Sequence, residues 1–339
     1  DMSSIPQLRD NWYPIVFSKD ITSKEPYGIQ LLGDPIVLFR DKDGKIVCLS
    51  DQCPHRSAPL SIGSMVDGKL ECKYHGWQFG EDGECLEIPS IDRKPTSANR
   101  AISYPCIERY TLVWVWVGDA EKATEDKLPD MFFDEMSDPD YMQCHGSRDL
   151  EIDHGLMVEN LLDPAHLPFT HDGTISSRKD ITPMKMTVLY DNISIPGRTV
   201  DNYDKEGNQT EKSRQKFRDN FKGMHGKCEY YQKPDKNDIH FIFVPPCFVK
   251  IDLQLGKKGS KMIQMQMCVP VTRTKMRFLY IFNFNFIKWG SRIPGFNHLF
   301  TWNSDKVIEQ DVELLAGQQY NLLHGAKAWN SSVRADSLG

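Results

Sequence analysis

The chain has 339 residues, of which 40% are hydrophobic and 11% aromatic, enough to build packed cores in two domains. Its formal net charge is −6, which disfavours a general nucleic-acid binder because no basic excess is available to neutralise phosphates. No run reaches the roughly 18 apolar residues that a membrane helix needs. The nine cysteines are scattered without a disulfide framework, and no signal peptide precedes them. Composition therefore favours a globular protein with no transmembrane segment in this chain.

Short hydrophobic segments separated by turn residues fill the first 120 positions. The sequence Asp-Lys-Asp-Gly at 41–44 predicts a tight turn, and the apolar stretch 112–117 ends at a glycine. The predicted strands are residues 15–17, 30–32, 35–39, 45–49, 85–88 and 112–117. This part of the chain is therefore predicted to be an all-β module, followed by a charged linker over residues 120–130.

Two short segments inside this module each offer one cysteine and one histidine. Cys53 and His55 form a Cys-x-His segment, and Cys72 and His75 form a Cys-x-x-His segment. Two cysteines on one iron and two histidines on the other define a Rieske [2Fe–2S] cluster, whose neutral imidazoles raise its potential. Zinc also accepts two cysteines and two histidines. The alternating order of these four residues nevertheless differs from a zinc finger, which presents its two cysteines first, so a Rieske cluster is favoured.

A second domain is predicted from about residue 141. It contains apolar strands, such as residues 261–269 and 275–285, and helices near residues 153–166 and 303–323. Residues 201–220 are polar without apolar periodicity, which predicts a loop. Alternating aromatic residues could wall a flat substrate or simply pack a core. They are Phe241, Phe243, Phe248, Phe278, Tyr280, Phe282 and Phe284.

His166 and His171 are candidates for a second metal site. Their spacing of five does not place them on one face of a regular helix. Pro168 lies between them and is expected to end the helix that closes at His166. A turn after that helix could bring both imidazoles to one ion.

A carboxylate would complete the facial triad of two histidines and one acid that binds oxygen-activating non-haem Fe(II). Asp311 is the preferred candidate, on a predicted helix with an apolar face, and Glu309 and Glu313 are its rivals. A one-electron carrier beside such an iron is chemically consistent, because O₂ activation needs electrons delivered singly.

These residues make the chain resemble the Rieske non-haem iron oxygenases over nearly its whole length. The resemblance implies an α+β architecture, with a Rieske domain at residues 1–125 and a catalytic domain at residues 126–339 built on a curved antiparallel sheet covered by helices. It implies a Rieske [2Fe–2S] cluster, a mononuclear Fe(II) and O₂ as co-substrate. The matching positions are Cys53, His55, Cys72 and His75 for the cluster and His166, His171 and Asp311 for the iron.

Asp163 matches the family's bridging acid. The resemblance implies a head-to-tail trimer of identical or related chains, in which His75 of one subunit meets Asp163 of the next. Asp163 would then hydrogen-bond both His75 and His166. A local role also remains open, in which the carboxylate stabilises the turn before Pro164.

Several sequence segments are similar to those of the branch of the family that acts on chlorophyll pigments in chloroplasts and cyanobacteria. They lie at residues 11–14, 158–166, 315–319 and 321–330. The similarity implies oxidation of the ring methyl of chlorophyllide a to a formyl group, which gives chlorophyllide b. It also implies reduced ferredoxin as electron donor and a place at the thylakoid or inner envelope of the chloroplast, or its cyanobacterial equivalent. Basic residues around the cluster could receive ferredoxin or be ordinary solvated charges. They are Arg56, Lys69 and Lys73.

Other functions stay open at this point. One is an oxygenase for another bulky substrate, such as pheophorbide a, a related pigment or a sterol. Another is an electron-transfer or structural subunit of a hetero-oligomer, which the residues of the second metal site disfavour. The chain begins at Asp1 rather than Met, which suggests a trimmed product that has lost any targeting segment.

Overall fold

The computed structural model describes residues 8–129, 133, 138, 141–181, 183–191, 224–230, 239–255, 259–286, 290 and 293–328. It divides into two compact units. The first is Asp1–Leu128 together with Val269–Arg273, and the second is Pro129–Cys268 together with Thr274–Gly339. Sequence alone does not indicate that residues 269–273 belong with the first unit. They do so because the amides of Leu32 and Gly33 donate to the carbonyls of Pro270 and Val271 at 3.0 and 2.7 Å.

The first unit is all β, as predicted. Its described strands form small antiparallel sheets in the orders β1-β10-β9, β2-β3-β4 and β5-β6-β7-β8. The strands are β1 Asn11–Phe17, β2 Tyr27–Leu31, β3 Asp34–Arg40, β4 Ile46–Ser50, β5 Ser64–Val66, β6 Lys69–Glu71, β7 Gln78–Phe79, β8 Cys85–Glu87, β9 Cys106–Arg109 and β10 Leu112–Val117.

Strand β10 anchors this unit because all six of its side chains are buried. It pairs with β1, and Trp12 meets Trp116 across the two strands with ring centroids 5.5 Å apart. The core of the second sheet, including Phe39 and Leu49, continues to the buried Cys53 and Cys72. Packing of these strands therefore holds both cysteines in place.

The charged segment after the last strand of the first unit, residues 120–130, is the predicted linker. Residues 120–130 contain short 3₁₀ turns at Ala120–Lys122 and Glu125–Lys127. Asp119 caps the first of them by accepting from the amide of Glu121. The predicted loop at residues 201–220 lies outside the described residues.

The second unit is built on one large sheet. In the described part of the chain, seven strands run in the order β11-β17-β16-β15-β14-β13-β12. They are β11 Met142–Leu150, β12 Met184–Asp191, β13 Met224–Tyr230, β14 Ile239–Val244, β15 Phe248–Leu255, β16 Ser260–Thr272 and β17 Lys275–Phe284. Described registers are antiparallel, so the predicted curved antiparallel sheet and the α+β class are confirmed.

The described residues form three α-helices, which are α1 His154–Leu162, α2 Leu167–Thr170 and α3 Phe296–Leu323. One face of the sheet, which we call the inner face, packs on α1 and α3. Its core includes Phe241, Val249 and Phe278 of the strands with Leu162 and Ile308 of the helices. The long helix α3 begins seven residues before the predicted position 303. In the described residues no helix has both the length and the apolarity that crossing a membrane requires.

The expectation for Pro168 was wrong. Helix α1 already ends at Leu162, and Pro164 begins a 3₁₀ turn that runs to His166. Pro168 then lies in the first turn of α2, where a missing N–H costs no helical hydrogen bond. The two prolines therefore start short helical turns instead of ending a long one.

The aromatic residues of the sheet do not all share one face. Phe241, Phe243 and Phe278 contact the core beneath α1 and α3. Phe248 faces the other way and meets Phe133 at a ring-centroid distance of 6.2 Å. Most of the aromatic set thus belongs to the inner face, and Phe248 does not.

Candidate metal centres

The two Cys–His segments of the first unit form matching loops. In each, the cysteine amide donates to the carbonyl five residues later at 2.8 Å, and the cysteine carbonyl accepts from the amide four residues later at 2.8 and 2.9 Å. These last amides belong to Ser57 and Gly76, whose φ angles of 53° and 71° are left-handed. Glycine adopts that conformation without a steric penalty. The shared turn presents Cys53 and Cys72 from two similar loops.

The imidazoles of these loops lie together. The rings of His55 and His75 have centroids 4.5 Å apart. Trp77 stacks on His55 at 4.8 Å and 2°, and Tyr74 stacks on His75 at 4.0 Å. Sequence reasoning missed both aromatic partners, although each is within two residues of His75 in the chain.

The cysteines suit a cluster. Cys53 and Cys72 are 3% and 1% exposed. Burial raises the pKa of the Cys53 thiol to about 11, and the neighbouring Cys72 adds to that effect. The amides of His55 and Arg56 act in the opposite direction by favouring the thiolate. Two buried thiols with two adjacent imidazoles fit the ligand set of a Rieske cluster.

The second constellation lies in the second unit. His166, His171 and Asp311 each offer one ligand atom, and those atoms all lie within 4.8 Å of one another. Asp311 Oδ1 is 3.5 Å from His166 Nε2 and 3.2 Å from His171 Nε2. His171 and Asp311 are 1% and 7% exposed. Two imidazoles and one buried carboxylate fit a non-haem Fe(II) with open positions for other ligands.

Neighbouring groups orient each member of this triad. Asn160 Nδ2 donates to Asp311 Oδ1 at 3.3 Å. His166 Nδ1 is hydrogen-bonded to the main-chain carbonyl of Asp163. Such partners on the far side of a ligand fix its orientation and tune the metal.

Sequence reasoning did not identify the partner of His171. Its Nδ1 lies 3.0 Å from Oε1 of Gln310, the residue directly before Asp311. The hydroxyl of Thr174 is also 3.0 Å from that oxygen. A usable signal existed, because a metal-binding histidine usually donates its second ring N–H to an acceptor.

The two imidazoles have different electrostatic surroundings. Burial lowers the pKa of His166, and the charges of Asp311 and Asp163 only partly offset it. Burial also acts to lower the pKa of His171, but its hydrogen bonds to Asp311 and Gln310 outweigh burial and raise it. Side-chain hydrogen bonds to Asp311 and Gln310 therefore distinguish His171 from His166, on which Asp311 acts through its charge alone.

The rival carboxylates are placed elsewhere. Glu309 is exposed and forms an ion pair with Arg148. Glu313 is exposed as well. Asp311 shares the buried stripe of α3 with Ile308 and Leu315, so helical geometry places Asp311, and neither rival, beside the histidines.

Asp163 has a local role in the structure. Its Oδ1 accepts from the amide of Ala165 at 2.8 Å and caps the 3₁₀ turn that begins at Pro164. This matches the alternative in which the carboxylate stabilises that turn.

The two Cys–His loops fit a [2Fe–2S] cluster, and the separate facial triad fits a mononuclear iron. Together they define a class of protein, the two-metal oxygenases. Comparisons with known proteins point the same way. Residues 11–107 match the model described as Rieske [2Fe-2S] domain, and residues 243–329 match the model described as Pheophorbide a oxygenase.

Several curated proteins are similar to the chain. Chlorophyllide a oxygenase of Arabidopsis thaliana is 30% identical over 98% of this chain and 56% of its own length. Protein TIC 55 of Arabidopsis thaliana is 31% identical over 93% of this chain and 54% of its length. The iron–sulfur subunit of the toluene-4-sulfonate monooxygenase system of Comamonas testosteroni is 30% identical over 75% of this chain and 68% of its length. The chain thus spans about half the length of the chloroplast relatives.

A solved structure shares the fold. Dicamba monooxygenase bound to dicamba superposes with a TM-score of 0.75 at 23% identity, covering 98% of this chain and 94% of that one. The chain belongs to the Rieske non-haem iron oxygenase family. Its cofactors are accordingly a Rieske [2Fe–2S] cluster and a mononuclear iron that works with O₂.

Proposed function

We propose that this chain oxidises the ring methyl of a chlorophyllide-type pigment to a formyl group, with chlorophyllide a as substrate. The supporting observation is similarity over 98% of the chain to the chlorophyllide a oxygenase of Arabidopsis thaliana. The convergence of His166, His171 and Asp311 supports the oxygenase chemistry that this function needs.

In this proposal Cys53, His55, Cys72 and His75 hold the cluster, and His166, His171 and Asp311 hold the iron. When bound, the two groups supply single electrons and O₂ activation. The protein contributes ligand geometry and an apolar surface. Phe241, Phe243 and Phe278 pack beneath α1 and α3 on the inner face, and this packing positions the helix that carries Asp311.

Asp163 is proposed to carry electrons between subunits. In a head-to-tail trimer it would accept a hydrogen bond from His75 of the neighbouring subunit. The main-chain carbonyl of Asp163 is hydrogen-bonded to Nδ1 of His166. This contact with a proposed iron ligand supports a short electron-transfer path from the cluster to the iron. Loss of the carboxylate in Asp163→Ala should then slow reoxidation of the cluster by O₂ and pigment while leaving the iron count unchanged.

Reduced ferredoxin is the proposed electron donor, and Arg56, Lys69 and Lys73 are the proposed basic residues for an acidic partner. The chloroplast is the proposed location, at the thylakoid or inner envelope. The chloroplast relatives of Arabidopsis thaliana support that location.

The function is tested by an anaerobic iron count and EPR of the dithionite-reduced protein, followed by a single turnover with chlorophyllide a. We expect about three irons per chain, a Rieske signal and a product with a new formyl group. As a matched control, His171→Ala should retain about two irons and the Rieske signal but form no product.

Pheophorbide a is the second candidate substrate, favoured by the match of residues 243–329 to the Pheophorbide a oxygenase model. The same single turnover should be run with this Mg-free pigment. Turnover of pheophorbide a without turnover of chlorophyllide a would replace the proposed substrate. A full iron content with neither product would retain the oxygenase and reject both pigments.

A further inference from the structure

Gln310 connects the two distant parts of the triad. It precedes Asp311 on α3, and its side-chain oxygen lies 3.0 Å from Nδ1 of His171, 139 residues away in sequence. The same helix turn thus supplies the proposed carboxylate ligand and an acceptor for a proposed histidine ligand.

The tautomer of His171 matters for metal binding. Its Nε2 faces Asp311 Oδ1 at 3.2 Å, so Nε2 is the nitrogen on the side of the triad. A nitrogen that binds a metal carries no proton, so the ring proton must then reside on Nδ1. Gln310 Oε1 is positioned to accept it.

Thr174 offers a second donor to the amide oxygen of Gln310. Its hydroxyl lies 3.0 Å from Gln310 Oε1 and 2.9 Å from the carbonyl of His171. With the hydroxyl donating to Gln310, the amide oxygen faces two donors, the Thr174 hydroxyl and the His171 ring N–H. Turning the amide around would place its NH₂ group against the ring N–H of His171 and lose that hydrogen bond, while the Thr174 hydroxyl could donate to the carbonyl of His171 instead.

We propose that Gln310 is a positioning residue that selects the Nδ1–H tautomer of His171 and thereby prepares Nε2 for the metal, with the Thr174 hydroxyl as a second donor to the Gln310 oxygen. This inference rests on the metal site proposed above. It assigns to Gln310 a role in metal affinity and in the electronic properties of the ion.

The Gln310 side chain is uncharged, which affects how strongly the His171 imidazole donates to a metal. The groups hydrogen-bonded to His166 and Asp311, a main-chain carbonyl and the amide of Asn160, are neutral as well. A carboxylate at position 310 would make the imidazole a more basic ligand and favour the more highly charged oxidation state. Gln310→Glu should therefore keep the tautomer while it changes the electronic properties of the ion.

Four variants test this: Gln310→Leu, Gln310→Glu, Thr174→Val and Gln318→Leu. Gln318 is an exposed glutamine on the same helix, so its variant is the matched control. Each full-length, cluster-loaded protein is depleted of mononuclear metal with a chelator and titrated anaerobically with Co²⁺, whose visible absorption reports both affinity and ligand field.

We expect Gln310→Leu to weaken Co²⁺ binding about 10- to 100-fold and Thr174→Val to weaken it less. Gln310→Glu should bind at least as tightly as wild type with a shifted Co²⁺ spectrum, and Gln318→Leu should match wild type. The Rieske EPR signal and the melting temperature, measured for every variant, identify a variant that has failed to fold. Recovery of affinity in Gln310→Glu provides a second comparison if Gln310→Leu misfolds.

Equal Co²⁺ affinity in Gln310→Leu and wild type would overturn the inference and leave the metal site intact. A Gln310→Glu protein that loses affinity as Gln310→Leu does would overturn it as well. No saturable Co²⁺ binding by wild type would remove the proposed site itself, and the inference with it.

Discussion

Asp311 is a buried carboxylate with one oxygen near three polar groups. His166 Nε2, His171 Nε2 and Asn160 Nδ2 lie 3.5, 3.2 and 3.3 Å from Oδ1. Placing a carboxylate where it is 7% exposed is costly unless a positive charge or several donors compensate it. A bound cation would provide that compensation, which is why the site is expected to bind metal in spite of the desolvation.

The variant Asp311→Asn removes the negative charge of the side chain while keeping its shape. We expect the iron count to fall from about three to about two per chain, because the amide is a poor ligand in place of the carboxylate. In chelator the melting temperature should equal or exceed that of wild type, since a buried charge has been removed. Iron analysis and thermal unfolding in chelator check both results. Full iron content in Asp311→Asn would contradict the assignment of this ligand.

Asn283 is a buried polar residue on β17. It is 0% exposed, and among the described residues neither its Nδ2 nor its Oδ1 has a hydrogen-bond partner. Asn283→Leu keeps a similar shape and removes two unsatisfied polar atoms. It should increase the free energy of unfolding by about 1–3 kcal/mol.

Chemical denaturation of Asn283→Leu beside wild type measures this change. Asn283→Asp is the matched control and should destabilise the protein, because it introduces an unpaired buried charge. A Leu variant less stable than wild type would show that the Asn283 amide makes stabilising hydrogen bonds in the folded protein.

At the scale of elements, α1 carries Asn160 and leads into the turn that bears His166. Asp153 is its N-cap, and Asp153 Oδ1 accepts from the amides of Gly155 and Leu156 at 2.8 and 3.3 Å. The amide of Asp153 in turn donates to Gln319 of α3 at 2.6 Å. The start of α1 is therefore fixed both by its own cap and by the helix that supplies Asp311.

Asp153→Ala should cost about 1 kcal/mol of stability, within the usual range for loss of a cap. Asp153→Ser, which can still accept from the first-turn amides, should recover most of it. Denaturant titration of both variants measures the difference. An alanine variant as stable as wild type would mean that the cap stabilises the first-turn amides no better than water does.

Element types were more predictable than element boundaries. Leu112–Val117 is the strand that its continuous apolar pattern predicts. The histidine segment was predicted as one helix to His166, whereas Pro164 divides it into α1 and a 3₁₀ turn. A proline can end a helix or begin one, and the single residue does not decide between them.

At the scale of the whole molecule, each proposed ligand set comes from one compact unit. Cys53, His55, Cys72 and His75 lie within Asp1–Leu128, and the triad lies within the second unit. Each set is also held by its own core, one around Cys53 and Cys72 and the other around α1 and α3.

The two metal contents should therefore be separable. Cys72→Ser should lose the cluster and its EPR signal but keep the Co²⁺ affinity of the depleted mononuclear site. His171→Ala should lose that affinity and keep the Rieske signal. Metal analysis with EPR on both proteins tests this, and simultaneous loss of both metals in either variant would show that the two units do not fold separately around their sites.

The sequence by itself determined what is local. The proposed cluster ligands lie on two short loops, and their residue types and spacing suffice to predict them because each loop closes through its own backbone hydrogen bonds. Short apolar segments separated by turn residues likewise indicated an all-β first unit, and longer apolar segments indicated strands in the second.

Only the tertiary structure decided what joins distant segments. It placed Asp311, and neither Glu309 nor Glu313, beside His171, and it brought Gln310 to the far side of that ring. The physical reason is that a helix offers several faces, and packing against the rest of the protein determines which face is buried. Residues 269–273 joined the first unit for a similar reason, because their carbonyls meet the amides of Leu32 and Gly33 only after the chain has folded.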